Sequence, residues 1–311
     1  MTAESTWTGV LLGAERHQSP EWHALRARGL GGSEIAAVVG LSPFTSRFAL
    51  WHRKRGTLPE ETANNNMSWG IHLEPLLCDY FAELHPEFWS MEAGTLCHNE
   101  RSWQIANVDR LLYPTTDVTA KTAPLGLLEV KTAHQYDAHE WGAHGSDEIP
   151  PYYKCQTLWY LDTLGLQTAH LAVLIGGSDY REYVIHYDAE QAAWLRAEGE
   201  AFWTEVVEGT VPPIDGHDAT YQAVRALHPE INGEDVEIPA DLYDAYRATK
   251  ADEDAAATEH QRIKAEVLDV MGQAQRALVG DTAVLRRQKG RGDNVALHPI
   301  PQPKNKKASA A

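Results

Sequence analysis

The hydrophobic pattern of the N-terminal part of the chain predicts short helices separated by turns. Pro20 to Arg28 has helical spacing and precedes the turn Gly29 to Gly32. A second helix follows from Ser33, a good N-cap residue, to Val39. A third helix is predicted near Thr45 to Arg55.

An amphipathic helix is predicted after the polar loop Thr57 to Asn66. Its apolar residues recur at helical spacing, and they are Leu73, Leu76, Leu77, Tyr80, Phe81 and Leu84. Proline lacks an amide proton and clashes with the preceding turn, so Pro75 must lie in the first turn of this helix or bend it.

The pattern after Pro86 changes to extended segments. Glu87 to His98, Trp103 to Tyr113 and Gly126 to Lys131 are predicted to form three neighbouring strands. They are followed by a helix from Pro151 to Leu164, strands His170 to Ile175 and Arg181 to Tyr187, and a helix from Ala189 to Glu208. This order predicts an α/β fold with a central mixed β-sheet flanked by helices.

The C-terminal third differs from the rest of the chain in composition and hydrophobic pattern. Residues 209–239 are rich in Pro, Gly, Asp and His, which indicates a linker or loosely structured connection. Residues 240–288 are predicted to be a helical extension, with a long charged helix to Gln275 and a short strand from Thr282 to Gln288. Residues 289–311 are predicted to be a flexible basic tail.

The distribution of charge matters more than its sum. The chain has 311 residues, 43% of them hydrophobic, and a formal net charge of −17, which by itself disfavours a polyanionic partner. Residues 16–55, however, hold seven basic residues against two acidic ones, and residues 286–307 hold seven against one. The rest of the chain is correspondingly more acidic, and the basic segment 16–55 is the one expected to contact a phosphate backbone.

Three features predict a cytoplasmic protein. The longest aliphatic run, Leu171 to Ile175, is far too short to span a bilayer, which excludes a membrane partner. The N-terminus lacks the basic start of a signal peptide. Cys78, Cys97 and Cys155 are widely spaced, which suits reduced thiols and gives neither a zinc knuckle nor a four-cysteine iron–sulfur site.

The candidate chemistry lies in a set of carboxylates. Asp109 follows an apolar strand, and Glu129 and Lys131 share one face of the next strand because side chains two apart point the same way. Glu74 lies on the apolar face of its helix, where a carboxylate needs a partner such as a metal ion. Gln156 lies on the helix that follows.

Each of these residues alone has an ordinary structural explanation, such as an exposed ion pair or a turn. Their order along the chain, however, favours phosphodiester hydrolysis. Hard oxygen ligands favour Mg²⁺ or Mn²⁺, and two such ions could clamp the attacking and leaving oxygens.

Several blocks of sequence carry a resemblance to a known family. They are residues 21–26, 31–35, 40–44, 67–75, 107–109 and 128–132, followed by Ile149-Pro150 through Tyr153 to Gln156. With these blocks the sequence resembles the YqaJ-like viral recombinase family, relatives of phage lambda exonuclease in the PD-(D/E)xK nuclease superfamily. The resemblance covers about residues 16–208, so a nuclease domain with a PD-(D/E)xK restriction-endonuclease-like core is expected over residues 1–208.

The resemblance implies a role for each matching residue. It assigns metal binding to Glu74, Asp109, Glu129 and the backbone carbonyl of Val130. It also assigns the catalytic lysine to Lys131 and the residue that orients the site to Gln156. Arg26 and Ser33 fall where lambda exonuclease-like enzymes hold a terminal 5′ phosphate, and Arg28 and Arg47 are added as DNA contacts. Asn107 departs from the small hydroxyl residue found in lambda exonuclease.

The expected function is a metal-dependent exonuclease that digests double-stranded DNA from a 5′ end and leaves 3′ overhangs for phage-type recombination. A single-strand annealing protein and a homo-oligomeric ring are the partners that this resemblance suggests. Two alternatives stay open at this stage: a phage-type endonuclease or a single-strand or structure-selective nuclease on the same fold, and a non-catalytic DNA-binding recombination scaffold.

Overall fold

The computed structural model describes residues 7–16, 18–59, 65–116, 122–290 and 295–300. The chain divides into two compact units, Met1–Pro229 and Glu230–Ala311, and each is described by itself. No helix in these described ranges is long and apolar enough to cross a membrane.

The first unit holds the α/β core. Its elements in chain order are β1 (Gly9–Gly13), α1 (Pro20–Arg26), β2 (Leu30–Gly31), α2 (Gly32–Val38), α3 (Arg47–Lys54), α4 (Asn65–Leu84), β3 (Phe88–Met91), β4 (Thr95–His98), β5 (Gln104–Ala106), β6 (Arg110–Pro114), β7 (Gly126–Ala133), a 3₁₀ helix (Gln135–Glu140), α5 (Pro151–Leu164), β8 (Thr168–Ile175), β9 (Asp179–His186), α6 (Ala189–Glu208) and α7 (Asp218–Leu227).

A five-stranded mixed sheet forms the centre of this unit, in the order β3-β6-β7-β8-β9. β7 and β8 run parallel, with Glu129 opposite Leu171, and the other neighbours are antiparallel. Parallel neighbours need a crossover, which the 3₁₀ helix and α5 supply. The predicted class, an α/β fold with a central mixed sheet flanked by helices, is confirmed.

Helices cover both faces of this sheet. Leu77, Cys78 and Phe81 of α4 pack on a cluster of strand residues formed by Leu112, Leu128, Val130 and Ala172. On the other face lies α5, in which every residue from Cys155 to Leu164 is buried. Burial of that many apolar side chains contributes a large share of the hydrophobic stabilisation of the unit.

The polar groups of this buried helix are satisfied, as buried polar groups must be. Thr157 and Thr163 donate to carbonyl oxygens one turn earlier. The carboxylate of Asp162 accepts hydrogen bonds from four side chains, those of Arg101, Gln104, Tyr187 and Arg196. Asp162 thereby ties α5 to β5, α6 and the loops beside them.

The chain passes between two sheets where the sequence predicted continuous strands. Glu87 to His98 forms β3 and β4, and Trp103 to Tyr113 forms β5 and β6, so both predictions of single strands are wrong. β4 and β5 belong to a second sheet, ordered β1-β4-β5-β2. Gly94 breaks the first segment: its φ is +71°, and a Cβ there would lie 2.6 Å from the Gly13 carbonyl oxygen.

The helix starts follow known capping rules, with one correction. Ser19 and Ser46 accept hydrogen bonds from Trp22 N (3.1 Å) and Ala49 N (3.1 Å) and cap α1 and α3. Gly31, not Ser33, is the N-cap of α2, because the Glu34 carboxylate accepts from Gly31 N at 2.7 Å. Ser33 lies in the first turn, which frees its hydroxyl for another partner.

Two further predictions differ from the structure. Pro75 lies in the interior of α4, so the alternative that placed it in the first turn is wrong. The connection predicted over residues 209–239 contains α7, whose Ala223 packs with Phe48, Ala49 and Leu58. The Thr220 hydroxyl of this helix donates to Ser46 Oγ at 2.7 Å, which joins α7 to the start of α3.

The second unit is a long helix followed by a small sheet. α8 spans Ala240–Met271, and β10 (Arg276–Val279), β11 (Thr282–Lys289) and β12 (Val295–Pro299) form an antiparallel sheet in that order. The sequence predicted only the middle strand. The predicted basic tail, 289–311, begins inside β11 and includes β12, while residues 301–311 lie outside the described residues.

Candidate active site

The site is built on β7, whose alternation separates its side chains as predicted. Leu128 and Val130 pack in the cluster beneath α4, whereas Glu129 and Lys131 lie on the opposite face, toward α5. The Lys131 ammonium group forms an ion pair with the Glu129 carboxylate and lies 5.2 Å from the ring centroid of Tyr153.

Glu129 is a buried carboxylate whose two oxygens differ in their hydrogen bonding. Gln156 Nε2 donates to Glu129 Oε1 at 2.6 Å, and Lys131 Nζ donates to the same oxygen. Glu129 Oε2 is buried and has no hydrogen-bond partner within the described ranges. A buried charged oxygen without a donor is costly, so this atom is the clearest candidate for binding a cation.

Asp109 reaches the same strand from the connection between β5 and β6. Its Oδ2 accepts a hydrogen bond from the backbone N–H of Val130 at 2.7 Å. This contact fixes Asp109 beside Glu129, as the sequence predicted, and the hydrogen bond also positions the Val130 peptide group.

Glu74 approaches from α4 and is paired with Arg110. The Arg110 guanidinium lies 3.7 Å from Glu74 Oε1 and 3.3 Å from Glu92 Oε1, and it donates to the Asp109 carbonyl at 2.6 Å. Arg110 therefore holds the α4 carboxylate next to the loop that carries Asp109.

Burial and neighbouring carboxylates shift the pKa values of the ionisable groups at this site. Burial, followed by repulsion from Asp109, raises the pKa of Glu74 to about 7 and that of Glu129 to about 8. Burial works to lower the pKa of Lys131, but the charges of Glu129 and Asp109 outweigh it and raise that pKa. Glu74 and Glu129 are therefore hard to ionise in this site, and an added cation would favour their ionised forms.

The donor set fits a hard divalent cation. Within the described part of the chain, no three His, Cys, Asp or Glu side chains form a ready metal-binding group by themselves. Mg²⁺, however, uses one or two protein carboxylates and takes its other ligands from water and substrate phosphate. The open Oε2 of Glu129 and the neighbouring Asp109 meet that requirement.

A second polar cluster joins α1 to α2. Arg26 Nη2 donates to Ser33 Oγ at 2.9 Å, and Arg26 and Lys54 lie 3.2 and 2.8 Å from the Glu34 carboxylate. Arg26 also stacks over Trp22, 4.7 Å from the ring centroid. The structure thus brings together the two residues that the resemblance linked to a 5′ phosphate.

The other two predicted DNA contacts are placed differently. Arg47 is bidentate to Glu205, at 2.9 and 3.2 Å, and donates to the Val38 carbonyl, so its guanidinium holds α3 to α6. Arg28 is exposed in the turn after α1. Asn107 donates to Thr95 Oγ1 at 2.7 Å, and its buried Oδ1 meets no donor within the described ranges.

Tyr160 connects the two clusters, and the sequence did not single it out. Its buried hydroxyl accepts a hydrogen bond from Gln156 Nε2 at 3.1 Å, while its ring lies against Gly32 of α2. A Cβ on Gly32 would lie 2.8 Å from Tyr160 Cδ1 and 2.9 Å from Cζ. Tyr160 follows Gln156 by four residues, one helical turn, which is the only sequence signal for it.

Comparison with known proteins agrees with the resemblance. Residues 21–167 match the family model of the YqaJ-like viral recombinase domain, a segment that contains every candidate catalytic residue. The recognition made from the sequence is therefore confirmed: this segment is related to that recombinase domain.

Individual relatives are more distant. The chain is 29% identical to the uncharacterized protein YqaJ of Bacillus subtilis over 214 residues, which are 68% of this chain and 63% of that protein. An alkaline exonuclease (LHK-Exo) of Laribacter hongkongensis is similar in structure, with a TM-score of 0.49 and 19% identity over 61% of this chain and 94% of the exonuclease. A phage-related exonuclease of Haemophilus somnus gives a TM-score of 0.43 and 9% identity over 58% of this chain and 96% of that protein.

Proposed function

We propose that the protein is a metal-dependent deoxyribonuclease of phage-type recombination, which digests double-stranded DNA from a 5′ end and leaves a 3′ overhang. The observation that carries the proposal is the convergence of Glu74, Asp109 and Glu129 beside Lys131, with one buried carboxylate oxygen left open. A binding module has no need for this set of groups.

The carboxylates would hold Mg²⁺ or Mn²⁺, two ions, with the Val130 carbonyl as a further ligand. When bound, such ions supply positive charge to the phosphodiester and lower the pKa of a coordinated water. Lys131 would orient the attacking water and neutralise charge on the phosphate, and the Tyr153 ring beside it limits where its ammonium group can move.

Gln156 has a positioning role in this proposal. Its amide donates to both Glu129 and Tyr160, so it fixes the carboxylate in one orientation before substrate arrives. Preorganised ligands save the reorganisation that would otherwise raise the barrier.

The Arg26 and Ser33 cluster supports the 5′ polarity. Guanidinium and hydroxyl groups recognise phosphate, and Trp22 keeps the Arg26 side chain in place by stacking. In the structure Arg26 and Lys54 share Glu34, so an incoming terminal phosphate would compete with that carboxylate for the two cations.

The wider setting is also a proposal. We place the enzyme in the cytoplasm of a bacterial host, with double-stranded DNA ends as substrate. A single-strand annealing protein would receive the overhang, and a homo-oligomeric ring would keep the enzyme on its duplex.

The test is digestion of a linear duplex labelled separately at its 5′ and 3′ ends, with and without a 5′ phosphate, beside a covalently closed circle. We expect early loss of the 5′ label, an intact circle, no digestion by Lys131→Ala, and normal digestion by Lys250→Ala, which removes an exposed lysine from α8. Arg26→Ala should abolish the preference for a 5′ phosphate.

Other outcomes would overturn parts of the proposal. Cutting of the circle would make the protein an endonuclease on the same fold. Equal digestion by the wild type and Lys131→Ala would remove the assigned site, and no digestion by the wild type would favour a DNA-binding scaffold.

A further inference from the structure

The sheet of the second unit carries a row of unneutralised basic side chains. Arg276 on β10 is the direct antiparallel partner of Arg286 on β11, and Arg286 is the direct partner of His298 on β12. Direct partners project from the same face of a sheet, so these three side chains form one row across three strands, about 10 Å long. All three are exposed.

Such a row is unfavourable in the isolated protein. Like charges directly opposite each other on neighbouring strands are destabilising. In the described residues, neither Arg276 nor Arg286 has a carboxylate partner, although the chain as a whole has 44 acidic residues. Binding of an anion to this face would explain why two opposed arginines lie there without a carboxylate partner.

Two basic residues of the neighbouring helix are paired with carboxylates. On α8, Lys250 pairs with Glu253 and Asp254, at 3.1 and 3.0 Å, and Arg262 pairs with Glu259 and Glu266. Arg247 and Lys264 of α8 also have no carboxylate partner within the described residues, so what distinguishes the sheet is that its two arginines lie directly opposite each other.

We propose that this face of the β10-β11-β12 sheet binds the phosphate backbone of duplex DNA, as a contact additional to the active site. The local sequence agrees, because residues 286–307 carry a net charge of +6 in a chain of −17. A flat row of guanidinium groups contacts phosphates without reading bases, so binding is independent of sequence and sensitive to salt. The choice of DNA as the polyanion rests on the proposed function.

The experiment uses the full chain and a 40-bp duplex closed at both ends by hairpin loops, so that no terminus is available to the active site. Binding is measured by fluorescence anisotropy in EDTA across a salt series, which separates it from cutting. Arg276→Gln with Arg286→Gln is compared with the wild type and with Lys250→Gln plus Arg262→Gln, which removes the same charge from paired positions in the same unit.

We expect the sheet variant to lose two phosphate contacts. The slope of log K against log salt should fall by about 1.8, which corresponds to binding weakened by up to about 60-fold at 0.1 M salt. The helix variant should bind within about twofold of the wild type. Both variants replace exposed side chains, and the sheet variant should melt no lower than the wild type because a repulsive pair is removed.

Three outcomes would overturn the inference. They are an unchanged salt slope in the sheet variant, equal weakening in both variants, and loss of binding to anionic phosphatidylglycerol vesicles with DNA binding intact. The last would assign the face to a membrane surface. Failure of the proposed function would look different, since the wild type would then leave a linear duplex uncut whatever its affinity for the closed one.

Discussion

Gly32 is the position where one added methyl group should disturb the candidate catalytic carboxylates indirectly, through Tyr160 and Gln156. A Cβ there would lie 2.8 and 2.9 Å from two atoms of the Tyr160 ring, which is buried in the core. Interiors are close-packed, so the ring cannot turn aside without moving its neighbours. Gly32→Ala should therefore shift Tyr160 and, through its hydroxyl, the Gln156 amide that holds Glu129.

The magnitude follows from packing. Inserting a methyl group into a filled core costs about 1–3 kcal/mol. For a unit of this size, a loss of about 2 kcal/mol lowers the melting temperature by about 4–8 °C. A displacement of a positioning group by about 1 Å slows catalysis by about 100-fold, so we expect cleavage to fall 10- to 100-fold.

Gly70→Ala is the matched control. The nearest atom to a Cβ at Gly70 is Thr132 Oγ1, at 3.7 Å, which is ordinary van der Waals contact. Alanine is a better helix former than glycine by about 1 kcal/mol, so Gly70→Ala should raise the stability of α4 while Gly32→Ala lowers that of the unit. Thermal melting and digestion of a labelled duplex, on the same preparations, measure both effects.

A double-mutant cycle tests the assigned contact. In a Tyr160→Ala background the added methyl group meets no ring, so Gly32→Ala should cost nothing there, and the two substitutions should be non-additive by about 2 kcal/mol. A Gly32→Ala protein that melts and cuts like the wild type would refute this reasoning, and so would an equal cost in both backgrounds.

Three further predictions concern charge. Protons compete with a cation for Glu74 and Glu129, whose pKa values are about 7 and 8. The Mg²⁺ concentration for half-maximal cleavage should therefore fall by about tenfold from pH 6.5 to 8.5. An unchanged concentration would contradict the metal assignment. Asp162→Ala leaves two arginines, a glutamine and a tyrosine without their buried acceptor and should cost about 3 kcal/mol in urea unfolding. A cost under about 1 kcal/mol would show that the network is redundant. Burial works to lower the pKa of His85, but hydrogen bonds led by that to Glu182 raise it, so its stabilisation is present below about pH 6.5 and lost as the pH rises through the folded-state pKa. The stability difference between the wild type and His85→Gln should shrink over that range, and a constant difference would exclude the linkage.

The part of the site that was predictable from sequence rests on short-range rules. The period of two along β7 places Glu129 and Lys131 on one face and Leu128 and Val130 on the other, and the structure agrees. The order of elements gave the mixed sheet flanked by helices in the same way. These rules need only neighbours along the chain.

The parts that were missed depend on contacts distant in sequence. The breaks between β3 and β4 and between β5 and β6 arise because each segment pairs in two sheets, which no local pattern encodes. The role of Tyr160 depends on the approach of Gly32, 128 positions earlier. Arg47 was assigned to DNA from its charge, and its partner Glu205 lies 158 residues away.

The passage of the chain between two sheets has a consequence for folding. Asp109 lies where the chain passes from the four-stranded sheet to the five-stranded one. Its carboxylate accepts a hydrogen bond from the Val130 amide, which links this connection to β7. A nascent chain that ends at Ala133 already contains every candidate carboxylate and the lysine. It still lacks β8, the parallel partner of β7 from Leu127 to Ala133, and the α5 glutamine that holds Glu129. Because these arrive about 20 to 40 residues later, a truncated product of interrupted synthesis carries all the charged groups of the site without the strand and the glutamine that hold Glu129 in place.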